Sequence, residues 1–162
     1  MTYKTQSYMP QLIESIRALV RYNTVQQPAQ GDAPFGKPLQ EALDYVLEMA
    51  ASWGWRTSNL DNKCGWAEVG DGPLFGVLGH VDVVPLGEGW HHDPLGGEIA
   101  DGKLYGRGTQ DDKGPLMAAM YALKALLDEG YRPKMRVRFI VGCNEETDWE
   151  CMDRYLATEE IS

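Results

Sequence analysis

Cysteine is scarce in this sequence, and its three residues form no evident pairs. Cys64, Cys143 and Cys151 are an odd number, which does not suit a disulfide framework and is more typical of a reducing compartment. The first ten residues, MTYKTQSYMP, lack the basic start and apolar stretch of a secretion signal. We therefore expect a cytoplasmic protein.

Long hydrophobic runs and an excess of positive charge are missing as well. No apolar stretch approaches the roughly 20 residues that a membrane-spanning helix needs, so we expect no membrane partner. The formal net charge of −9 argues against binding nucleic acid through its phosphates. With 43% hydrophobic and 24% charged residues, the 162-residue chain has the composition of a globular protein with one core.

Hydrophobic periodicity predicts an alternation of helices and strands. The segments with helical spacing are 10–21, 39–54, 115–130 and 149–156. The segments typical of strands are 55–60, 65–69, 74–78, 97–105 (a hairpin turning at 101–102) and 135–142. The runs 74–78 and 135–142 are typical of strands covered on both faces in a central sheet. Arg136 and Arg138 in the second run indicate that one of its faces meets solvent or an acidic neighbour.

The strand, helix and strand between residues 74 and 142 have the spacing of a right-handed parallel crossover. In such sheets, functional sites gather at the carboxyl ends of the strands. His80 follows the first strand, Asp111 and Asp112 precede the helix, and Glu145-Glu146 follows the second strand. We expect these three motifs to converge on one rim of the sheet.

His80 and Asp82 are spaced like a metal-binding imidazole and the acid that supports it. If the chain is extended there, both side chains lie on one face. A carboxylate so placed can hydrogen-bond the imidazole and fix the nitrogen that binds a metal. A lone histidine at the end of a strand is more often structural, and it is the other acids of the motifs that favour metal binding.

Two pairs of adjacent acids supply carboxylates for such a centre. One of Asp111 and Asp112 should cap the following helix or interact with its dipole, but a carboxylate there can also bridge two cations. Glu145 and Glu146 diverge if the chain is extended. One of them could then bind metal while the other acts as a general base on metal-bound water, whose pKa falls to about 7.

Three other candidates carry less weight. Cys143 lies in an apolar strand without a histidine nearby in the sequence, so we expect a buried thiol and not a nucleophile. His91 and His92 are adjacent, a spacing at which two side chains rarely bind one metal, and their segment is typical of a surface loop. The loop GRGTQDDKG lacks the spacing of a phosphate-binding loop, and its acids would repel phosphate.

Three segments in order, LGHVDVVP, WHHDPLGGEIADGKLYGRGTQDDKGP and GCNEETDW, resemble the dinuclear-metal peptidase family. This family includes acetylornithine deacetylase, succinyl-diaminopimelate desuccinylase, carboxypeptidase G, aminoacylase, carnosinase and bacterial dipeptidase V. GRGTQDDKGP and NEETDWECM are most similar to the bacterial dipeptidases. The resemblance implies an α/β fold, a three-layer sandwich with a mostly parallel central sheet flanked by helices.

The resemblance also implies roles for individual residues. His80 would bind the first of two divalent metal ions, Asp111 would bridge both and Glu146 would bind the second. The metal would be zinc, with cobalt and manganese as alternatives. Glu145 would be the general base, Asp82 would support His80, and the Asp111-Asp112 peptide bond would be cis. The substrate would be a dipeptide, hydrolysed by metal-activated water.

The printed sequence is shorter than the members of this family. It ends at Ser162, before the downstream carboxylate and C-terminal histidine that complete the two metal sites, and before the inserted lid domain. We therefore expect residues 1–162 to be the N-terminal part of the catalytic domain and inactive alone. Each metal would keep two protein ligands, whereas catalytic zinc sites usually have three. Strands without their neighbours would leave an unpaired edge prone to aggregation.

Two alternatives remain open. The chain alone could be a non-enzymatic remnant of such an enzyme, because ligands implied by the resemblance are missing. The same fold and metals could also serve a deacylase that acts on N-acyl amino acids, because the motifs present are shared between the two activities.

Overall fold

A computed structural model of the chain describes residues 5–159. After a short 3₁₀ turn at Thr5–Tyr8, the helices are α1 (Met9–Arg21), α2 (Lys37–Ser52), α3 (Lys113–Asp128) and α4 (Glu150–Thr158). The strands are β1 (Arg56–Leu60), β2 (Cys64–Val69), β3 (Leu74–His80), β4 (Glu98–Ala100), β5 (Lys103–Tyr105) and β6 (Arg136–Gly142). Each predicted helix and strand is present, and the differences are confined to the ends of the elements.

The main sheet has the strand order β1-β2-β6-β3. β1 and β2 form a hairpin around Asp61-Asn62, as predicted, and β2 pairs with β6 in antiparallel orientation. β6 pairs with β3 in parallel, as expected for a crossover through α3. The α/β class is confirmed, but between residues 5 and 159 the sheet is mixed instead of mostly parallel. A tight turn such as the one between β1 and β2 can join only antiparallel strands.

Helices cover both faces of this sheet and give the expected three layers. Leu43 of α2 and Met120 of α3 belong to one buried cluster with Phe139 of β6. On the other face, Ile140 of β6 packs in a second cluster with Tyr155 of α4. Neighbouring residues of β6 therefore face opposite layers, as the two-residue period of a strand requires.

β3 departs from its prediction as a strand covered on both faces. It lies at the edge of the sheet, and Phe75 and Leu78 are 52% and 45% exposed. β6 covers one of its edges, and burial is complete only toward His80. An apolar groove of about 650 Å³ runs beside it, lined by side chains that include Val77, Leu126 and Met135. The unpaired edge that the resemblance implied is present in the described part of the chain.

β4 and β5 form the predicted hairpin, which is separate from the main sheet. Asp101 and Gly102 occupy the turn with φ angles of 51° and 73°. Positive φ at both central residues is what a two-residue hairpin turn of this twist needs. The hairpin places the chain that follows it, residues 106–112, at the start of α3.

Membrane spans and disulfides are both missing from residues 5–159. No helix there is long and apolar enough to cross a membrane. Cys64, Cys143 and Cys151 are free, as predicted from their number and spacing, and all three are buried.

Candidate metal centre

Three motifs that are far apart in the sequence meet at the carboxyl ends of β3 and β6. His80 is the last residue of β3, Glu146 lies in the turn after β6, and Asp111 precedes α3. One potential ligand atom from each of these residues lies within 4.8 Å of the others. Asp111 Oδ1 is 3.2 Å from His80 Nε2. The predicted convergence on one rim is therefore confirmed.

The His80 ring is held so that Nε2 faces the acids. Nδ1 lies 3.1 Å from the main-chain oxygen of Asp82 and 3.4 Å from its carboxylate Oδ1. When Nδ1 carries the proton and donates it to the main-chain oxygen of Asp82, the lone pair of Nε2 is available to bind a metal. Burial lowers the pKa of His80, but the hydrogen bonds and charge of Asp82 and the charge of Glu145 outweigh it and raise the pKa to about 9.

Asp82 fixes the acidic turn as well as the imidazole. Its buried carboxylate accepts hydrogen bonds from the backbone N–H groups of Glu145, at 3.1 Å, and Glu146, at 2.9 Å. A carboxylate that accepts backbone N–H groups in this way forms strong, charge-assisted bonds. The pairing with His80 was predicted from the two-residue spacing. The connection to the turn after β6 was missed because it joins residues 63 and 64 positions apart.

Asp112 is at the first position before α3, but its side chain does not cap the helix. Its Oδ2 instead accepts a hydrogen bond from the backbone N–H of His80 at 3.2 Å. This corrects the expectation that one of the two acids serves as a cap. Gly79 makes the contact possible, since a Cβ at that position would lie 2.7 Å from Asp112 Oδ2. The Asp111-Asp112 peptide bond is cis, as the resemblance implied.

Glu145 and Glu146 lie in a turn and not in extended chain. Backbone N–H groups of Thr147 and Trp149 donate to the main-chain oxygen of Asn144 and close this turn. The two side chains therefore do not diverge across a strand as expected. Glu145 Oε2 comes to 3.7 Å from His80 Nε2, and Glu146 joins the group of potential ligands. Both acids are half-buried, at the border between the rim and solvent.

The donor set suits a divalent cation. Imidazole nitrogen and carboxylate oxygen are both good ligands for zinc, and carboxylates also suit manganese. Burial and the nearby charges of Asp111, Asp82 and Glu145 raise the pKa of Glu146, although His80 opposes them. Burial likewise raises the pKa of Asp112, against the effect of its bond to His80. A cation among these carboxylates would offset the repulsion between their negative charges.

Lys113 is a member of this region that sequence reasoning missed. A lysine between two acids and a glycine resembles a solvated surface charge, yet Lys113 is fully buried. Its Nζ donates to the main-chain oxygens of Leu19 and Tyr22. Burial lowers the pKa of Lys113 to about 7, although the charge of Asp82 opposes this shift.

The candidates that the sequence disfavoured do not belong to the group of potential ligands among the described residues. His91 is exposed, and His92 stacks on Tyr105 with its Nδ1 3.0 Å from a carboxylate oxygen of Glu98. Cys143 is completely buried, and burial raises the pKa of its thiol well above the usual value. A thiol kept protonated in this way is a poor nucleophile, as predicted.

Comparisons with known proteins agree with this picture. The sequence profile of peptidase family M20/M25/M40 matches residues 76–160. A Staphylococcus aureus (strain USA300) protein named "Putative dipeptidase" is 42% identical over 161 residues, covering 98% of this chain and 34% of that protein. The crystal structure of human carnosine dipeptidase 1 matches 94% of this chain and 36% of its own, with a TM-score of 0.82 and 23% identity.

A further match is the Bacillus subtilis YXEP protein, named as a dinuclear metal binding peptidase from the M20 family. It covers 94% of this chain and 41% of its own, with a TM-score of 0.64 and 16% identity. At these low identities the structural matches show that the fold is shared. The chain spans about a third of the length of the curated relatives it matches.

Proposed function

Because this chain belongs to peptidase family M20/M25/M40, we propose that it supplies the N-terminal part of the active site of a metal-dependent dipeptidase. The observation that carries the proposal is the meeting of His80, Asp111 and Glu146, whose potential ligand atoms lie within 4.8 Å of one another. The name of the Staphylococcus aureus relative, at 42% identity, supports a dipeptide as the substrate.

Residues 1–162 would be the N-terminal part of a catalytic domain, with the rest of that domain and a lid domain supplied by further polypeptide. The edge of β3 supports this division, because its exposed Phe75 and Leu78 form an unprotected surface of a kind that proteins normally cover. The apolar groove beside this edge would be covered by the same polypeptide. The coverage of only 34% of the Staphylococcus aureus relative points the same way.

His80 would hold one of two divalent metal ions, Asp111 would bridge both, and Glu146 would hold the second. When bound, such ions lower the pKa of water to about 7 and polarise a carbonyl group. Asp82 would keep the His80 proton on Nδ1 and the ligating lone pair on Nε2. Asp112 would hold the backbone of His80 in place through its N–H group.

Glu145 would act as the general base. Its carboxylate is half-buried beside the proposed ligands, and Asp82 holds its backbone N–H group. The carboxylate would accept a proton from the attacking water and pass it to the amine nitrogen that leaves the dipeptide. Such proton transfer contributes about 100- to 10,000-fold to the rate in many enzymes.

The test is an assay of the full-length protein on dipeptides and on the matching N-acetyl amino acids, with zinc, manganese or cobalt added. Glu145→Gln should lower turnover about 100- to 10,000-fold without changing the bound metal, measured by elemental analysis. Glu150→Gln, which affects a surface ion pair with Lys63, is the matched control and should retain turnover. Residues 1–162 alone should be inactive.

Undiminished turnover by the Glu145→Gln variant would contradict its role as the base. Hydrolysis of the N-acetyl amino acids alone would assign the protein to the deacylases. If no metal binds to the full-length protein, the proposal as a whole is wrong.

A further inference from the structure

The ammonium group of Lys113 joins the start of α3 to the end of α1. Nζ donates to the main-chain oxygens of Leu19, at 2.9 Å, and Tyr22, at 3.1 Å. The C-terminal end of a helix carries partial negative charge, which favours a cation there. Lys113 lies two residues after Asp111, so this contact anchors the loop that carries the proposed bridging ligand.

Thr24 joins the same segment of chain to the end of β3. Its hydroxyl donates to the main-chain oxygen of Val81 at 2.7 Å, and the N–H group of Val83 donates to the main-chain oxygen of Thr24 at 3.1 Å. Val25 continues this contact as a parallel bridge to Val83. Val81 directly follows His80, so the segment anchors the chain that carries the first proposed ligand.

No room is left between the contacts of Lys113 and those of Thr24, because Gly108 packs closely against both Lys113 and Val83. A Cβ at Gly108 would lie 2.9 Å from Cδ of Lys113 and 3.0 Å from Cγ1 of Val83. Thr24 and Lys113 are fully buried, so neither hydrogen-bonds to solvent in place of its partner. The loop that leads to Asp111 and the chain after His80 are thus packed against one another and against residues 19–25.

We infer that Lys113 and Thr24 are positioning residues of the proposed metal centre, which together set the distance between Asp111 and His80 through the segment 19–25. The inference rests on the proposed function, since it concerns the same ligands. Neither residue belongs to the group of potential metal ligands. We expect their effect on metal affinity to reach the range of about 10- to 100-fold that is typical when a group that orients metal ligands is replaced.

The test uses four variants of the full-length protein, with Mn²⁺ affinity measured by electron paramagnetic resonance and thermal unfolding measured without metal. Thr24→Val removes the hydroxyl at nearly constant shape, and Lys113→Met removes the ammonium. Each should weaken Mn²⁺ binding about 10- to 100-fold. Thr24→Ser keeps the hydroxyl and should restore wild-type affinity. Lys124→Met, which removes a surface ion pair on the same helix α3, is the matched control.

A purely structural role predicts a different pattern. Thr24→Val would then lower the unfolding temperature while the folded protein bound Mn²⁺ as the wild type does, and that result would overturn the inference. If Lys113→Met does not fold, the comparison of Thr24→Val with Thr24→Ser decides alone. If the wild type does not bind Mn²⁺, the same comparison is made with Co²⁺, followed by its visible absorption; failure to bind Mn²⁺, Co²⁺ and Zn²⁺ alike would defeat the proposed function, and the inference with it.

Discussion

Two clusters of charged side chains lie beside β6, a buried one beneath α4 and a partly exposed one at the rim after the strand. In the first, Arg138 donates to Glu68 at 2.7 Å and to Glu159 at 2.6 Å, and its guanidinium stacks over Trp66 at 4.2 Å. Arg56 adds a second cation to Glu68. The acidic neighbour predicted from the arginines of β6 is therefore Glu68.

The rim has the opposite balance of charge. Asp82, Asp111, Asp112, Glu145 and Glu146 gather around the imidazole of His80 there, and buried Lys113 donates to main-chain oxygens instead of to these acids. Hydrogen bonds of Asp82 and Asp112 to backbone N–H groups hold the acids in place despite the repulsion between their negative charges.

The comparison shows which kind of charge cluster indicates a functional site. A cluster whose charges balance needs no further partner, and its contribution is to the stability of the fold. A cluster with excess acid, held in place by hydrogen bonds, remains short of positive charge. Such an imbalance is a common mark of functional sites, and here it favours a divalent cation.

The largest effect expected is on stability in the balanced cluster. Arg138→Met removes the buried cation that Glu68 and Glu159 share and should lower the free energy of unfolding by about 3–5 kcal/mol, the usual result of breaking a buried ion pair. Urea denaturation would measure it. Arg56→Met, which removes a half-exposed arginine from the same Glu68, should cost about 1 kcal/mol or less. If Arg138→Met also changed the metal affinity, the claim that this cluster acts only on stability would be contradicted.

The next effect is on metal binding at the rim. Asp82→Asn removes a charge and replaces one carboxylate oxygen by an NH2 group, which cannot accept from the N–H group of Glu145 or Glu146 that faces it. We expect Mn²⁺ affinity to fall about 10- to 100-fold, measured by calorimetric titration. Glu98→Gln, at the exposed pair with His92, should leave the affinity unchanged. An equal loss in both variants would mean that general negative charge, and not the placement of Asp82, attracts the metal.

An effect of at most about tenfold per pH unit is expected from the titration of His80. The pKa of His80 is raised to about 9, so the metal-free protein carries a proton that must leave before Nε2 can bind a metal. Metal affinity should therefore rise with pH and level off above pH 9, by at most about tenfold per unit for this one proton. Titrations at several pH values would measure the slope. Affinity that does not change over this range would contradict a ligand role for His80.

The smallest effect is expected outside both clusters. His91→Ala and His92→Ala should leave metal affinity at the wild-type value, because these side chains lie apart from the group of potential ligands. The same titration that detects the Asp82→Asn loss would measure it. A loss of metal affinity of tenfold or more, about 1.4 kcal/mol, would indicate that this loop binds the metal.

Local patterns in the sequence predicted the elements and the meeting of their ends. A strand followed by a helix and a second strand brings His80 and Glu146 to one edge wherever the pairing is parallel. The exposed side chains of β3 were not predicted. An apolar run indicates that a strand is covered in the folded protein, but it does not indicate which part of the polypeptide covers it. The α4 layer over Ile140 was likewise visible only in the packing.

Contacts between distant residues were the part that the sequence did not reveal. One of Asp111 and Asp112 was expected to cap α3 or to interact with its dipole, yet the side chain of Asp112 accepts from the backbone of His80. Nothing in the sequence around Lys113 indicates its two main-chain acceptors, Leu19 in α1 and Tyr22 directly after it. Spacing along the chain cannot predict pairs of this kind, because the partner is chosen by the tertiary fold.

The most direct measurement of the proposed metal centre is a crystal structure of the full-length protein grown with Zn²⁺ and recorded at the zinc absorption edge. We predict an anomalous peak about 2.0–2.1 Å from His80 Nε2, with Asp111 among its ligands and a second peak bound by Glu146. Peaks confined to other sites, such as the loop of His91 and His92, with His80, Asp111 and Glu146 free of metal, would contradict it.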